Sequence, residues 1–321
     1  MGWEGSIMGR MRRIRLVAAL AGVAGAVVVC GRWRRAAMSP ARRTGVSAGG
    51  MAYVVVGDGP RTVLIMPGGP GSMLPSGPMA MMLTEDWKHY LAAGYRVCFV
   101  TRPRNMPIGH SIADMAADHA RFIREELGGR VDLVVGKSYG GLIAFYLAAN
   151  HPEVARFVVA AGAAATVPEV GKEVDRRWAR LRAEGRHTEA ALVMLEFMMP
   201  GSRAAFLRRL AAPVIGALFA TLDVPAGDLL VEAEAECAFD ARDVLEHLRR
   251  TQVPMLLVYG EADEYIPHEA FDETAAHIPD CTVVSYPGLG HRAVMSSRVP
   301  QDVLAWATQR DTVTGPATPG L

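Results

Sequence analysis

The stretch Val131-Asp-Leu-Val-Val-Gly-Lys-Ser-Tyr-Gly-Gly141 decides the fold. Its apolar run, Val131 to Val135, reads as a buried strand, and Leu142-Ile-Ala-Phe-Tyr-Leu-Ala-Ala149 reads as a helix. Between them Gly136-Lys-Ser-Tyr-Gly140 matches G-x-S-x-G in the strand-to-helix setting that gives the pattern its meaning. Glycines on either side let the backbone turn so sharply that a serine hydroxyl stands clear of the sheet. Ser138 is therefore the candidate nucleophile. Lys137 beside it has two readings, a side chain paired with a nearby carboxylate or a charge that tunes substrate choice.

Upstream, Met51-Ala-Tyr-Val-Val-Val56, the turn Gly57-Asp-Gly-Pro60 and Thr62-Val-Leu-Ile-Met66 read as a β-hairpin or as two neighbouring strands. The second strand runs into Pro67-Gly-Gly-Pro-Gly-Ser72, a loop whose backbone can approach a ligand closely. A helical period covers Pro78 to Leu91, and Tyr95 to Val100 is a strand. Ser111-Ile-Ala-Asp114 forms a capping box that opens a helix through Leu127. Beyond the serine, Phe157 to Ala161 is another strand. This alternation predicts an α/β class fold, with a mostly parallel central sheet and helices on both faces.

The alternation stops near residue 162. From Thr166 to Leu248 the helical stretches Val170–Gly185, Thr188–Met199, Ser202–Phe219 and Leu229–Ala238 follow one another without a strand, which reads as an inserted helical cap. Its apolar residues Met194, Phe197, Met198, Met199, Phe206 and Phe219 either line an acyl pocket or pack the cap on the core. The sheet resumes at Val253 to Tyr259, followed by the loop Gly260-Glu-Ala-Asp-Glu-Tyr-Ile-Pro267 and a helix from Glu269 to His277. A last strand, Thr282 to Tyr286, leads into Pro287-Gly-Leu-Gly-His291 and a helix from Val299 to Gln309. The expected division is a core of residues 51–165 and 249–310, a cap of 166–248, an amino-terminal extension of 1–50 and a disordered tail of 311–321.

A serine hydroxyl needs a base, and the base needs an orienting carboxylate. Asp263 and His291 follow successive strands in the order required behind an elbow serine. Asp263 shares its loop with Glu261 and Glu264, and its place relative to Pro267 favours it. His291 is favoured over His110, His119, His268 and His277 by its loop after the last strand. With these residues the sequence resembles the α/β-hydrolase superfamily. Gly136 to Gly140 is similar to its nucleophile elbow, Gly260-Glu-Ala-Asp263 to its acid loop and Gly288-Leu-Gly-His291 to its histidine loop. The resemblance spans Met51 to Gln309 and implies a Ser138–His291–Asp263 triad acting without a cofactor or metal on a small-molecule acyl substrate. The loop Gly68-Gly-Pro-Gly71 resembles the His-Gly-Gly-Pro-Gly segment of the proline iminopeptidase-like branch, with Pro67 where that branch has His. That likeness implies an oxyanion hole built from the backbone N–H groups of Gly69 and Tyr139. An ester substrate is expected. An aminopeptidase, thioesterase or C–C hydrolase, and outside enzymes a binding module, are the alternatives.

Composition bounds the partners. The chain has 321 residues, half of them hydrophobic, with 34 basic and 33 acidic side chains, so no charge bias points to nucleic acid. Its four cysteines, Cys30, Cys98, Cys237 and Cys281, lack C-x-x-C spacing and fit a reducing compartment. Residues 16–31 form an apolar run flanked by arginines, shorter than the roughly 20 residues that span a bilayer. A non-native start, a membrane anchor and a signal peptide are the readings of that run, and a cytoplasmic protein is expected, with membrane contact only through 16–31.

Overall fold

A computed structural model describes residues 42–75, 84–199 and 201–314. Residues 16–31 lie outside them. The described chain builds one eight-stranded sheet in the order β1-β2-β4-β3-β5-β6-β7-β8. The strands are β1 (Arg42–Val46), β2 (Ala52–Val56), β3 (Arg61–Met66), β4 (Tyr95–Val100), β5 (Val131–Lys137), β6 (Ala155–Ala161), β7 (Met255–Gly260) and β8 (Cys281–Tyr286). β1, β2 and β4 pair antiparallel, and every other neighbouring pair is parallel. The central strands β3, β5, β6 and β7 are runs of Val, Leu, Ile, Ala and Met buried on both faces, as a covered parallel sheet requires.

Two hydrophobic layers cover the sheet. On one face lie α2 (Ile112–Glu126), α3 (Tyr139–Asn150), α8 (Arg242–Thr251) and α9 (His268–His277), which contribute Phe122, Phe145, Leu248 and Phe271 to a single core. On the other face α1 (Trp87–Ala92) and α10 (Arg298–Thr314) bring Trp87, Tyr90, Val303 and Trp306 against the alternate strand residues. The expected capping box opens α2: Ser111 Oγ accepts from the Asp114 N–H at 3.1 Å, and Asp114 Oδ2 accepts from the Ser111 N–H at 2.9 Å.

Four expectations need correction. β2 and β3 are neither a hairpin nor neighbours, because β4 enters the sheet between them. A short turn sets proximity in sequence, whereas β4 pairs parallel with β3 on one edge and antiparallel with β2 on the other, and so fills the gap. Among the described residues the sheet already includes Arg42, ahead of the expected start at Met51, since β1 extends it by pairing with β2. Residues 311–314 continue α10 instead of a loose tail, and Asp311 meets Arg156 at 2.8 Å.

The fourth correction concerns the insertion between β6 and β7. Its helices α4 (Glu169–Ala183), α5 (His187–Met198), α6 (Ala205–Ala220) and α7 (Ala226–Cys237) share a small core that includes Trp178, Leu195, Phe219 and Leu229. The excursion closes where Thr166 bridges Asp240 and the Ala241 N–H donates to Ala165 O at 2.8 Å. Arg242 to Leu248, expected in the cap, instead belong to α8, whose Val244, Leu245 and Leu248 pack with α3 in the main core.

Candidate active site

β5 ends in the turn that the glycines permit. Ser138 has φ +49° and ψ −118°, a strained left-handed conformation that only three described non-glycine residues share in sign of φ. Such a conformation costs on the order of 1–3 kcal/mol and persists only where the surroundings enforce it. Here the enforcement is close packing. A Cβ on Gly136 would overlap the Gly140 carbonyl, and one on Gly140 would overlap the Met66 carbonyl, so the turn can press against β3 only with glycine at both places.

The histidine and the acid arrive beyond the carboxyl ends of β8 and β7. His291 Nε2 lies 2.8 Å from Ser138 Oγ, and His291 Nδ1 lies 2.8 Å from Asp263 Oδ2. The other carboxylate oxygen of Asp263 accepts the Tyr265 N–H at 2.9 Å and the Ile266 N–H at 3.2 Å. With both oxygens engaged the carboxylate is fixed, and it favours the imidazole tautomer that donates from Nδ1 and leaves an Nε2 lone pair for the serine. His291 and Asp263 are both buried, while the rivals Glu261 and Glu264 are exposed. His110, His119 and His277 bond elsewhere, to Asp118, Met115 O and Glu273 O, and His268 pairs with Glu269.

Above this line of groups opens a cavity of about 280 Å³. Gly69, at φ +66°, borders it beside Ser138 and His291. Tyr139 opens α3, so its N–H is among those that find no partner within the helix. The far walls come from the inserted helices. Met194, Phe197, Met198 and Phe219 line the cavity, whereas Phe206 is 74 % exposed and Met199 lies outside the lining. Among the described residues no three His, Cys, Asp or Glu side chains converge as a metal site.

A family model of the α/β-hydrolase fold matches residues 61–297. The chain belongs to the α/β hydrolases. Among curated proteins it is 25 % identical to a bifunctional esterase/perhydrolase of Acinetobacter calcoaceticus over 231 residues, which are 65 % of this chain and 80 % of that one. Among solved structures it superposes on a thermophilic esterase from Thermogutta terrifontis with a TM-score of 0.62 at 22 % identity, covering 84 % of this chain and 98 % of that one. An esterase from Exiguobacterium antarcticum gives a TM-score of 0.63 at 19 % identity, with 83 % and 98 % covered. At these identities the two structures speak for the fold. Among the described residues no helix of this hydrolase is long and apolar enough to cross a membrane.

Pro67 leaves the glycine loop without the histidine of the iminopeptidase-like branch, and a different pair braces it. Arg102, 2 % exposed, donates from Nη1 to Pro67 O at 3.0 Å and from Nη2 to Gly69 O. Its charge is met by Glu232 of α7, with Nε 2.8 Å from Oε1 and Nη2 3.0 Å from Oε2, and Glu232 also accepts the Gly71 N–H. The guanidinium lies over the Tyr139 ring at 4.5 Å, whose hydroxyl donates to Glu232 O at 2.8 Å. One buried ion pair thus joins the glycine loop, the residue after Ser138 and an inserted helix. Nothing local in the sequence marks it, because Arg102 and Glu232 stand 130 residues apart. Lys137 pairs with Asp86, the first of its two readings, and both line the cavity.

Proposed function

We propose that this protein is a cofactor-free serine hydrolase that cleaves a carboxylic ester through an acyl-enzyme. The observation that carries the reading is the unbroken hydrogen-bonded line from Ser138 through His291 to Asp263, at the floor of a largely apolar cavity. In this mechanism Ser138 Oγ attacks the ester carbonyl while His291 Nε2 takes its proton. The imidazolium that forms is stabilised by Asp263. The tetrahedral oxyanion receives the N–H groups of Gly69 and Tyr139, and loss of one such donor is worth about 3 kcal/mol in related sites. Collapse expels the alcohol, which takes the proton back from Nε2. Water then repeats the sequence on the acyl-serine, freeing the acid and restoring the hydroxyl.

The ester reading is preferred to the aminopeptidase reading on the acids available. An amino-terminal substrate needs a free carboxylate, yet Glu232 is committed to Arg102, Glu234 is exposed, and Glu236 and the cavity-lining Asp175 are both engaged with the Tyr265 hydroxyl. A fluorophosphonate probe is expected to label the protein at Ser138, and Ser138→Ala to abolish labelling. Persistent labelling of the variant would move the nucleophile elsewhere. A p-nitrophenyl ester series assayed beside proline naphthylamide should show turnover of the esters, and preference for the amide would overturn the assignment. Absence of both labelling and turnover would leave the binding-module alternative.

A further inference from the structure

The charged groups that border the cavity are not all balanced. Lys137 and Asp86 neutralise each other, and Asp175 receives the Tyr265 hydroxyl at 2.6 Å. Arg182 is different. It lines the cavity at 5 % exposure, and among the described residues no hydrogen bond or ion pair reaches its side chain. Its Nε is buried without a partner, and its guanidinium is held between the Trp178 ring at 5.1 Å and the Phe219 ring at 4.7 Å. Aromatic faces attract a cation but accept none of its in-plane hydrogens, so they orient the fork and leave its donors open. Burial pushes its pKa down to about 10, which still leaves it charged at neutral pH.

A second donor lies beside it. Trp178 Nε1 is buried and unpartnered, on the same face of α4 one turn earlier. His187 is kept neutral, because burial and then the Arg182 charge lower its pKa, and its Nδ1 also lacks a partner. A buried guanidinium with no counter-charge carries an uncompensated desolvation cost, which a bound anion would remove. Asp175, Trp178 and Arg182 follow each other at spacings of three and four along α4, so Arg182 lies about 10 Å beyond Asp175 along the cavity wall. Asp175 in turn marks the catalytic end, since the Tyr265 ring that contacts it lies 5.0 Å from the His291 ring.

We infer that Arg182 and Trp178 form a carboxylate subsite at the far end of the cavity, and that the preferred substrates are esters whose acyl chain ends in a free carboxylate. This rests on the proposed esterase activity. A planar guanidinium fork beside an N–H donor suits a two-oxygen anion, and the Met194, Phe197 and Phe219 side chains that line the cavity suit a methylene chain.

The test compares p-nitrophenyl monoesters of glutaric, adipic, pimelic and suberic acids with the same compounds methylated at the free carboxylate. In the wild-type enzyme the free acid should exceed its methyl ester in kcat/KM at least tenfold at one chain length. That ratio should fall at least tenfold in Arg182→Gln and recover in part in Arg182→Lys. Equal or inverted ratios at every length in the wild-type protein overturn the subsite, a result that needs no variant to fold. A binding measurement separates this inference from the catalytic one. Ser138→Ala protein should bind the free dicarboxylates by calorimetry, and Ser138→Ala/Arg182→Gln should not. Arg182-dependent binding without turnover of any ester keeps the subsite and removes the esterase reading. Turnover of methylated esters with neither carboxylate preference nor binding does the reverse.

Discussion

Pro67 and Arg102 show how a single residue's role depends on what replaces it. Where the related branch places a histidine, this chain has a residue with no donor, and the loop is tied instead by a guanidinium reaching Pro67 O and Gly69 O. Because Arg102 is paired with Glu232 in the interior, its removal strands a buried carboxylate, which costs about 3–5 kcal/mol. Arg102→Met is therefore expected to lower the unfolding free energy by that amount in urea titrations. Arg102→Met/Glu232→Leu removes both charges and should regain most of the stability. It should not regain turnover, because Gly69 is no longer held; kcat should stay roughly 100-fold low, the scale of an ångström of misplacement. Recovery of kcat in the double variant would show that the pair serves packing alone. Ser138, Asp263 and His291 were legible because each sits in a short motif at the end of a strand. Arg102 and Glu232 were not, since their meaning comes only from a contact across 130 residues of chain.

At the scale of the element, α6 shows why composition alone does not orient a helix. Phe206 and Phe219 are both aromatic and both belong to it, but 13 residues are about three and a half turns, which puts them on opposite sides. Phe219 is 5 % exposed and meets Trp178 edge-to-face at 5.9 Å, while Phe206 is 74 % exposed. Phe219→Ala should cost about 3–5 kcal/mol, the range for large-to-small core changes. Phe206→Ser should stay within about 0.5 kcal/mol. Equal losses in urea denaturation would mean that the helix is turned otherwise. The sheet strands and α2 were legible because their apolar runs and capping box are local signals. The place of β4 between β2 and β3 was not, because strand order is decided by pairing between segments distant in sequence rather than by any residue in the turn. The same holds for α8, whose apolar residues fit a cap or a core equally well until α3 supplies the facing surface.

For the whole molecule, two buried titratable groups on different helices pull stability in opposite directions as pH changes. His119 in α2 is fully buried, and burial, with Arg102 acting in the same sense, lowers its pKa from 6.5 to about 4 against a hydrogen bond to Met115 O that raises it. Between those two values the unfolded chain takes up a proton that the folded chain refuses. Stability therefore falls as pH drops through this window, by about 3 kcal/mol at 1.36 kcal/mol per unit. Glu236 in α7 behaves in the opposite sense. Burial first, and then the Asp175 carboxylate, raise its pKa well above 4.5, and the Tyr265 hydroxyl at 2.7 Å only partly opposes this. Above pH 4.5 the unfolded chain loses the proton that the folded chain keeps, so stability declines as pH rises toward the raised value. Between pH 4.5 and 6.5 the two slopes therefore oppose each other, and the wild-type protein should vary less in urea unfolding across this window than either group alone would make it. Glu236→Gln, which keeps the shape and the neutral state, should remove the decline with rising pH, so that stability climbs from pH 4.5 to 6.5 on the His119 slope alone. His119→Leu should do the reverse and leave stability declining as pH rises from 4.5. A pH profile unchanged by Glu236→Gln would mean that Glu236 is ionised between α4 and α7.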